Sequence, residues 1–304
     1  SLFSRHTPGN GARTLIVSEN REGWVYAIYA IWNNEGILVP VDASSTAADI
    51  AYVINDCTPE AVWTSRTKLP LVEEAIALAG ANIKVMLIDD YERVDITCEE
   101  VAKPKLRLSD TALICYTSGT TVSPKGVMLS FENIMENVKA ISTEVPIFTQ
   151  KSRTLILLPL HHVLPLVGSA VMPMVVGGGV AICPSLSGPD IMATLKRGEV
   201  SIMIGVPRLW QTLFRGIKAK IDANVATKAL YAMCEKAQNR TLSRTVFKSV
   251  RDKMGGHIAY CVSGGAALDN ETAIGLKTLG LDVLEGYGMT EASPMIAFTR
   301  PGDI

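Results

Sequence analysis

The sequence has few charged and few aromatic residues, and it has no pair of cysteines at CxxC spacing. Charged residues are 19% and aromatic residues 6% of the 304 residues, and the formal net charge is −1. This balance excludes a nucleic-acid partner bound through bulk charge. The six cysteines are scattered along the chain, which predicts reduced, mostly buried thiols in a cytoplasmic protein.

The sequence also lacks an unbroken apolar run that could cross a membrane. Residues 154–186 contain no charged residue, but Pro159, Pro165, Pro173, two histidines and a glycine triplet interrupt them. A transmembrane helix needs about 20 consecutive apolar residues. We therefore expect this stretch to form a buried strand, a loop, a helix, a glycine turn and a second buried strand.

Short apolar runs alternate with amphipathic stretches along the whole chain. The alternation predicts an α/β fold with doubly wound, largely parallel sheets, because parallel strands buried on both faces need near-continuous apolar runs. The predicted strands are 13–20, 37–42, 61–65, 84–89, 111–116, 154–158, 179–183, 200–205, 257–262 and 281–284. The predicted helices are 21–34, 46–55, 69–79, a stretch from 131, 166–176, 189–197, 207–254 and 270–279. No linker separates two domains, so we expect two sheets that share helices, with subdomains of roughly 43–150 and of 1–42 plus 151–304.

The most informative stretch runs from Asp110 to Asn137. It reads as a buried strand, a small-residue loop at 117–126 (TSGTTVSPKG) and a helix with Ser130 as N-cap. Glycines let backbone amides approach a phosphate, and hydroxyls and Lys125 add donors and a cation. The alternative is an ordinary polar crossover loop. The nucleotide triphosphatase pattern does not fit, since Pro124 stands at its second glycine.

The 117–126 loop resembles the signature of the adenylate-forming superfamily, which includes acyl-CoA synthetases, luciferases and peptide-synthetase adenylation domains. Its usual form is Ser/Thr-Ser-Gly-Thr-Thr-Gly-x-Pro-Lys-Gly, and Val122 replaces one glycine. Four more segments are similar to that family in order along the chain. They are residues 17–45, LPLHHVLPL (158–166), VSGGAALD (262–269) and LEGYGMTEAS (284–293). The resemblance implies the large N-terminal domain of these enzymes over residues 1–304, incomplete at both ends.

The resemblance also implies roles for individual residues in the attack of a carboxylate on the α-phosphate of ATP. The phosphates are expected on Thr117, Ser118, Gly119, Thr120, Thr121 and Lys125, and Mg²⁺ on Glu291. The adenine is expected between Tyr287 and a wall of Gly265 and Ala266, with Gly286, Gly288, Met289 and Thr290 completing the nucleotide site. Thr290 would donate its hydroxyl to the α-phosphate, and His162 would orient the carboxylate. His161 would serve as a packing residue or as a gate to the site.

Each of these residues also has an ordinary structural interpretation. Lys125 could be a plain surface lysine, Tyr287 a core aromatic residue and Glu291 an acid at a helix N-terminus. One of the two adjacent histidines could be a satisfied structural residue.

Two segments, 206–217 and 250–268, look most like bacterial long-chain fatty acyl-CoA synthetases. This likeness implies a fatty acid substrate, with its tail behind 158–166, and coenzyme A as the acceptor. The alternatives are another acid, a carrier-protein thiol as acceptor, or a non-catalytic nucleotide-binding module. In this family a ribose-binding aspartate and a small C-terminal domain with a catalytic lysine follow the last motif. We therefore expect residues 1–304 alone to bind substrates with little turnover.

Residues 218–253 are strongly basic, with nine basic residues against three acidic ones. A solvated helical face is the simpler interpretation. A surface for anionic lipid, with peripheral membrane association of a cytoplasmic protein, or for a phosphate-bearing cosubstrate is the alternative.

Overall fold

The computed structural model describes residues 2–92, 103–117 and 123–302. The chain divides into two compact units, one of residues 1–136 with 159–163 and one of residues 137–158 with 164–304. Each unit contains a six-stranded sheet. The predicted α/β fold with two largely parallel sheets is therefore confirmed.

The sheet of the first unit has the strand order β4-β3-β1-β2-β5-β6. Its strands are β1 (Arg13–Val17), β2 (Ile37–Val41), β3 (Ala61–Thr64), β4 (Lys84–Leu87), β5 (Thr111–Thr117) and β6 (Lys125–Ser130). All neighbouring strands are parallel except β6, which runs antiparallel to β5 at the edge of the sheet. Residues of β1 and β3 are almost wholly buried, as expected for parallel strands covered on both faces.

Helices α1 (Leu2–His6), α2 (Glu22–Asn33), α3 (Ala47–Cys57), α4 (Leu69–Ala79) and α5 (Phe131–Glu144) follow in chain order, and a 3₁₀ turn lies at Ile88–Asp90. Thr46 begins α3 with a capping box, in which its hydroxyl and the Asp49 side chain satisfy each other's backbone N–H groups. Gly80 ends α4 in the left-handed region, with φ of 63°. These local signals set both helix boundaries.

The sheet of the second unit has the order β12-β11-β10-β9-β7-β8. Its strands are β7 (Arg153–Ile156), β8 (Gly179–Ile182), β9 (Ile202–Gly205), β10 (Tyr260–Gly264), β11 (Val283–Gly288) and β12 (Met295–Phe298). Only its edge strand β12 is antiparallel among the described pairs. Both sheets thus end in an antiparallel hairpin on one side.

Helical segments α6 (Val163–Pro165), a π-helical turn (Leu166–Val171) and α7 (Met172–Val175) follow β7, and α8 (Gly188–Arg197) follows β8. Helices α9 (Pro207–Asp222), α10 (Val225–Ala237), α11 (Arg240–Val246) and α12 (Lys248–Lys253) connect β9 to β10, and α13 (Asn270–Thr278) connects β10 to β11. A 3₁₀ turn lies at Thr290–Ala292. The core of this unit is centred on Trp210 of α9, which is fully buried and donates its indole N–H to the Val262 carbonyl at 3.2 Å.

Three features differ from the sequence-based expectations. The prediction that residues 1–42 pack with the second half is wrong, because β1 and β2 hydrogen-bond inside the first sheet. The long helical stretch 207–254 is four helices, and the side chains of Asn224 and Asn239 cap the second and third of them. The expected strand–loop–helix at 111–137 is a hairpin followed by a helix, so the small-residue loop precedes β6 and not the helix N-terminus.

The basic segment 218–253 is partly engaged in ion pairs. Lys218 pairs with Asp222 at 2.6 Å and lies 4.9 Å from the centre of the Tyr231 ring. Arg240 and Arg244 both pair with the buried Asp282. These contacts support the simpler interpretation for part of the segment, and the membrane contact stays a prediction. In the described part of the chain, no helix is both long and apolar enough to span a bilayer.

Candidate functional site

A cleft of about 600 Å³ in the second unit brings together most of the residues predicted to bind adenine. It is lined by Gly265, Ala266, Ala267, Glu285, Gly286, Tyr287, Gly288, Ala297, Phe298 and Thr299. The glycine–alanine segment follows β10, and the glycine–tyrosine segment forms the end of the parallel neighbour β11, where Gly264 is paired with Gly286. Ligands of open α/β sheets bind at the carboxyl ends of strands, and the cleft has this position.

Tyr287 is the large aromatic group of this cleft. Its side chain is 64% exposed, which contradicts the alternative of a core aromatic residue. An exposed ring that faces small residues can stack on a planar base. The cleft geometry therefore fits the predicted adenine contact, whose role stays a prediction.

Of the two glycines beside Tyr287, Gly288 is required by the backbone of the turn before β12, and Gly286 lies close to a flexible side chain of β12. A Cβ on Gly288 would lie 1.9 Å from the Pro294 carbonyl oxygen, and one on Gly286 would lie 3.0 Å from the Met295 sulfur. The register of the two strands shifts between Tyr287 and Gly288, and the Tyr287 side chain between the two glycines is exposed.

A tight turn links β11 to β12 and carries Met289, Thr290 and Glu291. The Met289 N–H donates to the Pro294 carbonyl at 2.9 Å and closes the turn. Asn137 of α5 anchors it from outside, donating its side-chain amide to the carbonyls of Ala292 at 3.2 Å and Met295 at 2.9 Å. Asn137 was absent from the predicted site, and only the structure shows this second-unit contact.

The turn leaves its polar side chains accessible. Glu291 is exposed, Thr290 is half-buried, and neither lines the cleft. In residues 2–92, 103–117 and 123–302, no group of three or more His, Cys, Asp or Glu side chains could hold a metal. A single carboxylate can still complete a Mg²⁺ site when substrate phosphates supply further oxygens, so the accessible Glu291 fits the ion only together with a nucleotide.

Glu285 and Thr299 line the same cleft and were not predicted. The Glu285 carboxylate accepts from the Leu268 N–H at 3.2 Å, and its carbonyl accepts from the Thr299 N–H at 2.9 Å. The alternation of β11 was the available signal for Glu285, because it lies two residues before Tyr287 on the same face.

In the first unit, the small-residue loop lies at the tip of the β5–β6 hairpin. Thr117 and Lys125 are paired across the two strands where the loop begins and ends. Lys125 is exposed, which suits a phosphate ligand and a plain surface lysine equally. The predicted contacts Ser118, Gly119, Thr120 and Thr121, and the unusual Val122, lie outside the described residues.

The histidine pair belongs to the first unit as well. Its loop is held by two contacts, from the Leu160 N–H to the Asn20 side chain at 3.0 Å and from the Cys115 thiol to the His161 carbonyl at 3.4 Å. The rings of His161 and His162 lie 4.0 Å apart, and His161 Nε2 is 3.8 Å from an Asp42 carboxylate oxygen. The loop therefore sits over the carboxyl ends of β1, β2 and β5.

Both histidines are neutral at pH 7. Burial lowers the pKa of His161 to about 4, with a further lowering by His162 and an opposing effect of Asp42. Desolvation also lowers the pKa of His162, again opposed by Asp42. Burial would raise the pKa of Asp42, but hydrogen bonds from Ser44 and electrostatic interactions with the two histidines outweigh burial, so the pKa is lowered. His161 is mostly buried and His162 is exposed, which fits the predicted division into a packing and a ligand-facing histidine.

Comparison with known proteins identifies a family over nearly the whole chain. The model of the family described as AMP-binding enzyme matches residues 4–304. Among curated proteins, the long-chain-fatty-acid–CoA ligase FadD15 of Mycobacterium bovis is 24% identical over 97% of this chain and 54% of its own length. The mitochondrial malonate–CoA ligase ACSF3 of Homo sapiens is 28% identical over 96% of this chain and 49% of its own. The chain thus spans about half the length of these relatives.

Solved structures share the fold. The O-succinylbenzoate coenzyme A synthetase MenE of Bacillus subtilis, in complex with AMP, has a TM-score of 0.73 and 20% sequence identity. The match covers 99% of this chain and 66% of that one.

Proposed function

The chain belongs to the AMP-binding enzyme family, and on that premise we propose that it serves the ATP-dependent activation of a carboxylic acid and its transfer to coenzyme A. A carboxylate oxygen attacks the α-phosphorus of ATP, and pyrophosphate leaves. The thiol of coenzyme A then attacks the acyl carbonyl, and AMP leaves. The observation that carries this proposal is the cleft that the exposed Tyr287 lines together with Gly265 and Ala266.

The adenine would stack on Tyr287, and the small residues opposite would leave room for its flat ring. The phosphates would be bound by the β5–β6 loop, with Thr117 as a hydroxyl donor and Lys125 as a cation. Thr290 would donate its hydroxyl to the α-phosphate. Oriented donors of this kind stabilise charge that develops in the transition state.

His162 would position the attacking carboxylate. Since its pKa is lowered, the imidazole is neutral at pH 7 and offers one N–H to the carboxylate without a positive charge. A neutral donor orients the nucleophile and leaves most of its negative charge free for attack. His161, which is mostly buried against Asp42, would hold the neighbouring ring in place.

Magnesium fits the site through Glu291 and the phosphates of the bound nucleotide. The ion would neutralise negative charge on the departing pyrophosphate.

A fatty acid is the substrate we propose first, because FadD15 is named a long-chain-fatty-acid–CoA ligase and matches nearly all of this chain. A short or aromatic acid is the second candidate, since ACSF3 is named a malonate–CoA ligase and MenE an O-succinylbenzoate coenzyme A synthetase. Acid-stimulated exchange of pyrophosphate into ATP, measured with dodecanoate, malonate and O-succinylbenzoate, separates the two. Stimulation by dodecanoate alone supports the first candidate.

Calorimetric titration with AMP tests the nucleotide site itself. Tyr287→Ala should weaken binding about fivefold to 150-fold, since stacking of a base on an aromatic ring contributes about 1–3 kcal/mol. Tyr287→Phe should bind as the parent does. Tyr26→Ala is the matched control, because Tyr26 is 41% exposed on α2. Equal AMP affinity of the parent and Tyr287→Ala would refute the proposed adenine contact.

A further inference from the structure

Helix α3 of the first unit supports the β5–β6 hairpin, whose tip carries the small-residue loop at 117–126. The buried side chains of Ile50, Val53 and Ile54 pack α3 into the core of that unit. The capping box at Thr46 fixes where the helix begins. A helix that is packed on the core and capped at its start holds its side chains precisely. Helix α3 is therefore a firm support for the groups that its exposed side chains contact.

Tyr52 of α3 holds the end of the loop that leads into β6. Its hydroxyl donates to the Pro124 carbonyl at 2.9 Å. That carbonyl belongs to the peptide unit that joins Pro124 to Lys125, and a peptide unit is planar and rigid. The hydrogen bond therefore fixes the backbone from which the Lys125 side chain extends.

Asp56 holds the other end of the loop, which follows β5. It lies one turn after Tyr52 on the same face of α3, and its carboxylate accepts from the Tyr116 hydroxyl at 2.5 Å. Burial and this hydrogen bond raise the pKa of Tyr116, so the hydroxyl keeps the proton that it donates. Hydrogen bonds from a hydroxyl to a carboxylate are short and stronger than those between neutral groups. Because Tyr116 directly precedes Thr117 in β5, this contact fixes the strand beside the first predicted phosphate donor.

Gly126 leaves room for the ring that reaches α3. Tyr116 and Gly126 are directly paired across the hairpin. A Cβ on Gly126 would lie 3.3 Å from Cζ of the Tyr116 ring and 2.9 Å from Cγ2 of Ile114. A side chain at this position would therefore press on the ring that Asp56 holds.

Thr117 and Lys125 form the next pair toward the tip of the hairpin. Successive side chains of a strand point to opposite faces, and the Tyr116 side chain contacts α3. The side chains of Thr117 and Lys125 therefore belong to the face of the hairpin that is turned away from α3. The helix holds the hairpin from one side and leaves these two phosphate donors on the other.

We propose that Tyr52 and Asp56 are positioning residues of this loop, which hold both of its ends so that Thr117 and Lys125 are in place before ATP binds. Neither side chain would touch the nucleotide. Groups that are ordered in advance lose less conformational freedom on binding, and this raises the affinity. The role rests on the proposed function, because it requires that the loop binds the phosphates of ATP.

Calorimetric titrations with ATP and with AMP, both in the presence of Mg²⁺, test this role through the ratio of the two affinities. Tyr52→Phe removes one hydrogen bond and should weaken ATP binding about twofold to tenfold. AMP binding should stay as in the parent, because AMP lacks the β- and γ-phosphates. Lys125→Ala shows the ratio that results when a phosphate contact itself is lost. Tyr26→Phe is the matched control, since Tyr26 is 41% and Tyr52 36% exposed, and it should keep the parent ratio.

A double-mutant cycle tests the contact of Asp56. Asp56→Ala and Tyr116→Phe remove the same hydrogen bond, so each should weaken ATP binding about twofold to tenfold. The double variant should bind ATP no more weakly than either single variant, because the two residues act through one contact. Asp56→Asn keeps an oxygen that can accept from the Tyr116 hydroxyl and should recover most of the affinity. Asn55→Ala, at the neighbouring exposed position of α3, should bind as the parent does.

The titrations separate a failure of the positioning role from a failure of the proposed function. If the parent binds ATP and AMP equally and Lys125→Ala changes neither affinity, the loop does not bind the phosphates, and both fail. If Lys125→Ala lowers the ratio while Tyr52→Phe and Asp56→Ala keep it, the phosphate loop stands and the positioning role is refuted. Equal losses of ATP and AMP binding in Tyr52→Phe and Asp56→Ala would also refute the role, because they would indicate general damage to the fold.

Discussion

Replacing His161 by glutamine should remove about 2 kcal/mol of the pH dependence of the free energy of unfolding between pH 7 and pH 5. The pKa of His161 is about 4 in the folded chain because the ring is buried, and an unfolded histidine has a pKa of about 6.5. Between these values the unfolded state binds more protons, so stability falls as the pH falls. A pH of 5 lies about 1.5 units below the pKa of the histidine ring in the unfolded chain, and each unit corresponds to about 1.36 kcal/mol.

Urea unfolding at both pH values measures this difference for the parent, His161→Gln and His257→Gln. The control, His257, is exposed, so its ring stays in water in both states. The absolute stability of His161→Gln can change for other reasons, and only the difference between pH 7 and pH 5 is compared. Equal differences for the parent and His161→Gln would refute the reasoning, as would an NMR titration in which His161 protonates above pH 6.

Gly288→Ala should destabilise the second unit by about 2 kcal/mol or more, because its Cβ would lie 1.9 Å from a backbone oxygen of the following turn; Gly188→Ala, where a Cβ meets nothing within 4 Å, should leave the melting temperature nearly unchanged. Asn137→Ala should cost about 1–3 kcal/mol in urea unfolding and weaken AMP binding, because two carbonyls of the β11–β12 turn lose their donor; unchanged stability would contradict this anchor. Thr46→Ala should cost about 1 kcal/mol in the same assay, because the hydroxyl that accepts from the Asp49 N–H is lost, and Thr46→Ser should retain most of it.

Most of the parallel strands could be predicted because burial on both faces requires near-continuous apolar runs. The two antiparallel edge strands could not. β6 (KGVMLS) leaves several side chains exposed and begins directly after a glycine- and proline-containing loop, so its pattern is that of a loop leading into a helix. The Ser130 cap was predicted correctly, since its hydroxyl accepts from the Asn133 N–H at 3.1 Å, but the strand before it was missed.

The residues of the candidate site could likewise be predicted where a local motif marks them, but not where a contact joins distant parts of the chain. The family resemblance pointed to Gly265, Ala266 and Tyr287, and the structure places all three on one cleft. Strand alternation could have pointed to Glu285, but Asn137 carries no local signal of its contacts. Asn137 reaches the β11–β12 turn across more than 150 positions of sequence, and only the folding of α5 beside that turn reveals it.

Two of the family-like segments, 117–126 and 284–293, lie where the chain reverses direction. In each, the chain passes from the last parallel strand of a sheet to the antiparallel edge strand. The loop at 117–125 joins β5 to β6, and the turn at 289–294 joins β11 to β12. In the second of these, Gly288 is needed by the fold itself, because an added Cβ would lie 1.9 Å from the Pro294 carbonyl oxygen. A loss of AMP binding in Gly288→Ala would not identify a nucleotide contact. The same loss in Tyr287→Ala, with an unchanged melting temperature, would identify one, because the exposed ring contributes little to the core.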